Sequence, residues 1–304
     1  MPRMTDLAEL VRAPAALSVP GDVVAGAAAA GALGRRTPAL AAASVLLYWA
    51  GMAANDWADR RLDAVERPER PIPSGRVAPA TALGLAAGLT GAGVGLAAAA
   101  GGRRAAAVAV PLAATIWGYD LAAKNSAAAP AVMAACRGLD VLLGASGGRV
   151  LRALPAAVTV AAHTWTVTAL SRREVTGADA ALPLRTLAGT ALVATSAATA
   201  RVARPPAQAA PGRAAFGDRP AQQVAAALPA LLAGWYAARY GAAQARVAVE
   251  PSAARVRAAV GAGITGLPAL QGALIARAGA GPLGLTVAAA APLARRLARK
   301  VSPT

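Results

Sequence analysis

The chain has 304 residues, 57% of them hydrophobic and 15% charged, with 31 Lys and Arg against 14 Asp and Glu for a net charge of +17. An ordinary soluble domain is nearer a quarter charged, so a water-soluble globular domain is excluded. The arginines fall as short pairs at the ends of apolar stretches, a pattern of anchoring at a bilayer surface that speaks against a nucleic-acid partner.

In chain order, apolar helices are predicted over 15–34, 38–55, 77–100, 105–122, 128–147, 153–170, 181–200, 222–241 and 256–276. Each approaches the ~20 residues that an α-helix needs to cross a bilayer. In lipid only helices and closed barrels satisfy their own backbone, and the alternation of a barrel is missing, so the chain reads as all-α. A tenth apolar stretch, 281–294, is short for a crossing. Gly34 to Pro38, Gly101-Gly102, Gly147-Gly148, Pro205-Pro206 and Gly279 to Pro282 punctuate the spans. With no linker between them, residues 1–304 read as one transmembrane domain. If the N-terminus is inside, the loops 56–76, 171–180 and 242–255 are cytoplasmic and carry somewhat more arginine than those opposite, although the loop 201–219 on the other side is also basic.

The single cysteine, Cys136, excludes an intramolecular disulfide and reads as a small core hydrophobe. The only histidine, His163, reads as a hydrogen-bonded helix contact.

The most informative stretch closes the second span. Asn55, Asp56, Asp59 and Asp63 form an NDxxDxxxD pattern, followed at once by Arg67-Pro68-Glu69-Arg70-Pro71-Ile72-Pro73-Ser74-Gly75. On a helix the four acidic and amide side chains share one stripe. Carboxylates crowded on one face repel one another, and a hard divalent cation relieves them. Mg²⁺ takes oxygen ligands and commonly joins one or two carboxylates to a substrate phosphate. Arg67 and Arg70 suit phosphate oxygens. The residues therefore point to a phosphate-bearing substrate held through Mg²⁺ at a membrane surface.

This motif resembles the first aspartate-rich motif of the UbiA superfamily of intramembrane prenyltransferases. Leu10-Val11-Arg12-Ala13-Pro14 is similar to the family's start, with Asp22 following. Tyr119-Asp120, Lys124-Asn125, Cys136-Arg137-Gly138-Leu139-Asp140 and Ser171-Arg172-Arg173-Glu174-Val175-Thr176-Gly177 resemble its EboC-like branch. The resemblance implies nine transmembrane helices around a central cavity, in a cytoplasmic membrane of bacterial type, with the active site facing the cytoplasm. It implies transfer of an isoprenyl group from an allylic diphosphate to a hydrophobic acceptor, aromatic or lipid-like, through a Mg²⁺-assisted carbocation.

Carried over, Asn55, Asp56, Asp59 and Asp63 hold Mg²⁺ and diphosphate, joined by Glu174 and Asp179 of a second, degenerate motif. Asp56, Asp59, Asp63 and Glu174 are the catalytic acids. Asn55, Arg67, Arg70, Tyr119, Asp120, Lys124, Arg137 and Asp140 are the candidate substrate contacts, although Arg137 and Asp140 could instead pair across one helical turn. Asp22 and Gln271 are further polar cavity candidates. The weakened second motif leaves a runner-up, a non-catalytic relative that binds or exports an isoprenoid. A general secondary transporter ranks last, because inverted repeats are not evident.

Overall fold

The computed structural model of the protein describes residues 2–12, 18–179, 181–199 and 219–290. Among these residues every regular element is helical: α1 Met4–Leu10, α2 Pro20–Ala30, α3 Thr37–Glu66, α4 Pro79–Gly118, a π turn Tyr119–Ala123, α5 Ala129–Ala145, α6 Val150–Ser171, α7 Ala181–Ala198, α8 Arg219–Val249, α9 Ala253–Arg277 and a short α10 Gly281–Ala290. Each of the nine predicted stretches falls on one of these helices or on one limb of α4. Most of the basic loop 201–219 and the end of the stretch 281–294 lie outside the described residues. Among the described residues four helices are long and apolar enough to span a membrane: α3, α4 with its π turn, α6 and α9. The chain is an integral membrane protein. Its described residues divide into two compact units, one up to Thr168 and one beginning at Ala169.

In the first unit, α4 is a hairpin rather than one rod. Gly102 takes φ 67°, ψ −159°, a conformation open to glycine alone, and breaks the helix into limbs 79–101 and 103–118. The indole Nε1 of Trp117 donates to Thr90 Oγ1 at 3.0 Å. In a straight helix those residues would lie about 40 Å apart, so the limbs run antiparallel. Leu40 and Leu47 of α3 pack between them against Ala97, Ala105, Leu112 and Ile116, and Cys136 belongs to the same core.

The second crossing of this unit, α2 on α5, is set by two glycines. A Cβ on Gly26 would strike the Val141 backbone carbonyl, and a Cβ on Gly144 would strike that of Val23. The contacts are reciprocal, so the helices are antiparallel and meet backbone to backbone, the close approach that small residues permit in membranes.

α3 is about 45 Å long, some 15 Å more than the hydrocarbon core of a bilayer. Its charged last turns, which carry the acidic motif, are the part expected to leave the hydrocarbon, where ionised side chains are costly. The turn that follows is tightly hydrogen-bonded: Ser74 N–H donates to Arg70 O at 3.0 Å and Val77 N–H to Pro71 O at 2.8 Å. Gly75 closes it at φ 75°.

The second unit packs α7, α8 and α9 together. Tyr236 and Tyr240 of α8 are buried with rings 6.1 Å apart. Gly272 of α9 and Gly284 of α10 bring their backbones into close approach.

Gly26→Val is expected to destabilise the protein by about 1–3 kcal/mol through overpacking, lowering its thermal midpoint in detergent by several degrees. Gly84→Ala, where nothing lies within 4 Å of the new methyl, is expected to leave the midpoint unchanged or raise it. Differential scanning fluorimetry of both variants checks the contrast.

Candidate functional site

At about 100° per residue, Asn55, Asp59, Asp63 and Asp56 follow one another across an arc of roughly 100° at the end of α3. Asp56 is 4% and Asp63 2% exposed, and carboxylates so buried require counter-charges. The chain brings cations to the arc from three directions. Arg12, just beyond α1, donates from Nη2 to Asp56 Oδ1 at 2.8 Å. Arg70, from the turn after α3, bridges the same edge of the arc: its Nη1 lies 2.6 Å from Asp63 Oδ2 and 3.5 Å from Asp56 Oδ1. Arg67 approaches Asp63 at 3.7 Å. Lys124, from beyond the π turn, covers the other edge, with Nζ 2.6 Å from Asp59 Oδ1 and 3.1 Å from Asn55 Oδ1.

Local structure aims each cation. The π turn adds one residue to the ladder, with Lys124 N–H bonded to Tyr119 O at 2.9 Å. Asp120, on the same turn, is buried and lies over Gly51, where a Cβ would come within 3.2 Å of Asp120 Oδ2. Arg12 sits at φ 45°, a left-handed conformation unusual for a side-chain-bearing residue. Its helix α1 is tied down by Arg76, which bonds Asp6 at 2.8 Å, Glu9 at 2.7 and 3.0 Å, and the Glu69 carbonyl at 2.6 Å. Arg76 thus joins α1 to the arginine-rich turn and holds Arg12 over the motif.

Next to these charges a cavity of about 200 Å³ opens in the same unit. Val19, Trp49, Met52, Ile116 and Met133 make its walls apolar, while Tyr48, Tyr119, Asp120 and Arg137 supply polar edges. Arg137 pairs at 2.7 Å through Nε with Asp22, which is fully buried, and stacks over Tyr48 at 5.6 Å. Asp140, also fully buried, accepts from Ser44 Oγ. Arg137 and Asp140 therefore find partners on other helices, and among the described residues no ion pair joins them to each other. The Tyr48 hydroxyl and the Trp49 indole nitrogen, both on residues lining the cavity, have no hydrogen-bond partner among the described residues.

The second motif belongs to the other unit. Asp179 is exposed and caps α7, accepting from Leu182 N–H at 2.8 Å. Glu174 is half-buried, and burial raises its carboxyl pKa against the pull of Arg257. Arg257 also donates to the Glu174 backbone carbonyl at 2.8 Å. Gln271 is buried within α9 of this unit.

Sequence reasoning gave Arg12 no role of its own and left Arg76 out. The signals were there: a lone arginine shortly before Pro14, and an arginine closing the turn opposite the acidic pair Asp6 and Glu9.

Among the described residues no three His, Cys, Asp or Glu side chains are already gathered as a metal cage. The donor set still fits Mg²⁺. It is all oxygen, and few protein ligands suit an ion that keeps waters and shares phosphate oxygens. An ion taken by the carboxylates would leave Arg12, Arg67, Arg70 and Lys124 without partners. They would then face phosphate oxygens as a set.

The profile of the UbiA prenyltransferase family matches residues 18–249. Among curated relatives, the digeranylgeranylglyceryl phosphate synthase of Methanothrix thermoacetophila is 56% identical over 48 residues, 16% of this chain and 18% of that one. The synthase of Natronomonas pharaonis is 44% identical over 85 residues, 27% of this chain and 31% of that one. The match thus spans less than a third of either relative. A structure from work on digeranylgeranylglyceryl phosphate synthase in membranes superposes with a TM-score of 0.65 at 15% identity, over 90% of this chain and 98% of the other. The apo structure of a UbiA homolog from Aeropyrum pernix superposes with a TM-score of 0.55 at 20% identity, over 82% and 96%. At these identities the likeness is one of fold.

The Arg76 guanidinium holds the Asp6 carboxyl below the usual carboxylate range. The folded-state pKa lies below the unfolded one, so the contact stabilises α1 above the ordinary carboxylate pKa and is lost as pH falls through the lowered value. Amide exchange in α1, corrected for its intrinsic pH dependence, is expected to stay slow from pH 7 to about 5 and to accelerate only below the ordinary carboxylate range. Arg76→Ala is expected to give fast exchange in α1 already at pH 7. Slow exchange in that variant would show that Arg76 does not hold the helix.

Proposed function

The chain belongs to the UbiA prenyltransferase family, and from that premise we propose that it is a membrane-embedded prenyltransferase taking its isoprenyl group from an allylic diphosphate. The observation that carries this reading is the pairing of an oxygen-rich arc with four cations beside an apolar cavity. Asn55, Asp56, Asp59 and Asp63 would hold Mg²⁺, which when bound neutralises charge growing on the departing diphosphate. Arg12, Arg67, Arg70 and Lys124 bind the diphosphate oxygens and orient the allylic C–O bond toward the cavity. Fixed in place before reaction, they stabilise the leaving group without reorganising. Trp49, Met52, Ile116 and Met133 accommodate the hydrocarbon chain and keep water from the carbocation. Tyr119 and Asp120 stand where charge and cavity meet, suited to orient donor or acceptor.

The acceptor enters the same cavity, whose polar edges, Tyr48, Tyr119, Asp120 and Arg137, suit an oxygen-bearing molecule. The matched curated relatives are named for a glyceryl phosphate carrying two prenyl groups, which makes a prenylated glycerol lipid the first acceptor to try. Arg137 and Asp140 position the cavity wall through Asp22 and Ser44. The site's open side faces the cytoplasm, in keeping with the arginine-richer loops.

The test is diphosphate release by the purified protein given geranyl, farnesyl and geranylgeranyl diphosphates with a membrane lipid extract as acceptor source. Release is expected to need Mg²⁺ and to fall on the order of 100-fold or more in Asp59→Ala. Arg12→Ala is expected to raise the donor KM about tenfold or more, as loss of a charge-assisted contact does. Mg²⁺-dependent donor binding without turnover would instead favour the non-catalytic binding reading.

A further inference from the structure

The second unit carries a charged groove that the transfer reaction does not use. α8 and α9 are joined by the short segment 250–252 and run antiparallel, with Gly266 packed against the Tyr236 ring. Between them lies a cavity of about 350 Å³. Arg239 and Arg246 line it from α8 and Arg255 from α9, and Ala242, Ala258 and Ala262 keep it open because nothing larger fills it. The spacing 239, 242, 246 puts one α8 stripe on the groove, and 255, 258, 262 does the same on α9.

The charge in this groove is not balanced. Arg255 pairs with Glu250 at 3.0 Å. Among the described residues Arg239 and Arg246 form no ion pair, and Arg239 lies over the Trp235 ring at 5.6 Å. Arg239 stands ten residues before the end of α8, about 15 Å along the axis. It is level with the interior of α9, one of the spans that can cross a membrane. An arginine at that depth stacks on aromatic rings, reaches toward the interface or meets an anion. Here the guanidinium points are arranged along a groove whose alanine walls offer a slot for hydrocarbon. A general interfacial anchor needs neither the concavity nor the small walls.

We propose that this groove binds the phosphodiester headgroup of an anionic membrane lipid, with Arg239 and Arg246 on the phosphate and an acyl chain along the alanines. The assignment stands apart from prenyl transfer, and its readout is lipid binding alone.

The experiment is thermal unfolding of the full-length protein in detergent with added phosphatidylglycerol, phosphatidylcholine or inorganic phosphate. Native mass spectrometry counts the retained lipid. Phosphatidylglycerol is expected to raise the midpoint by roughly 5 °C, phosphatidylcholine and phosphate by much less. The double variant Arg239→Gln/Arg246→Gln is expected to abolish the shift while keeping its own lipid-free midpoint. Arg103→Gln/Arg104→Gln, which removes the same charge from the exposed turn of the α4 hairpin, is expected to keep it. A shift that survives the groove variant, falls equally in the turn variant, or is matched by inorganic phosphate overturns the proposal.

Discussion

Two carboxylates, Asp56 and Asp63, lie almost wholly out of water at the end of α3, and most of the first unit can be understood as the means of neutralising them. A buried carboxylate without a counter-charge is costly enough to unfold its surroundings. Arg12 and Arg70 reach the two carboxylates from a helix terminus and a turn, and Lys124 meets the neighbouring Asp59 from beyond a π turn; each needs its own local device to arrive: a left-handed residue, a glycine-closed turn, an extra residue in a helix. The same requirement explains why α1, only seven residues long, is held by bonds from Arg76 rather than by its own helical stability, which so short a helix lacks.

The helices that carry these groups are built largely of alanine and glycine, and close backbone approach replaces interdigitation of large side chains. Gly26 and Gly144 let α2 and α5 touch, which puts Asp22 within reach of Arg137. Gly51 lets the second limb of α4 bring Asp120 onto α3. Small residues thus decide which charged groups can meet, and the polar network follows from the packing.

Much of this was legible in the chain. The break at Gly101-Gly102 was plain because two apolar runs flank a residue pair that tolerates any backbone. The arc of Asn55, Asp56, Asp59 and Asp63 was plain because helical spacing fixes a face. What could not be read was partnership across sequence distance. Arg137 and Asp140 stand one turn apart, yet each is satisfied from another helix, by Asp22 and Ser44. Spacing along a helix says nothing of what packs against it. Arg12 escaped because its position depends on backbone handedness and on a tether 64 residues away at Arg76. Asp179 reads as acidic in sequence, and only the start of α7 reveals it as a helix cap.

The π turn at Tyr119–Ala123 has one further consequence. A π turn holds one residue more than an α-helical turn needs, and that residue rotates everything after it by about 100°. Lys124 reaches Asn55 and Asp59 only with this rotation in place. A chain one residue shorter here would keep its helix, its hydropathy and every side chain named at the site, yet its lysine would point a quarter-turn away. At this position the length of the chain is itself a functional character, as open to loss by a three-base deletion as any aspartate is by substitution.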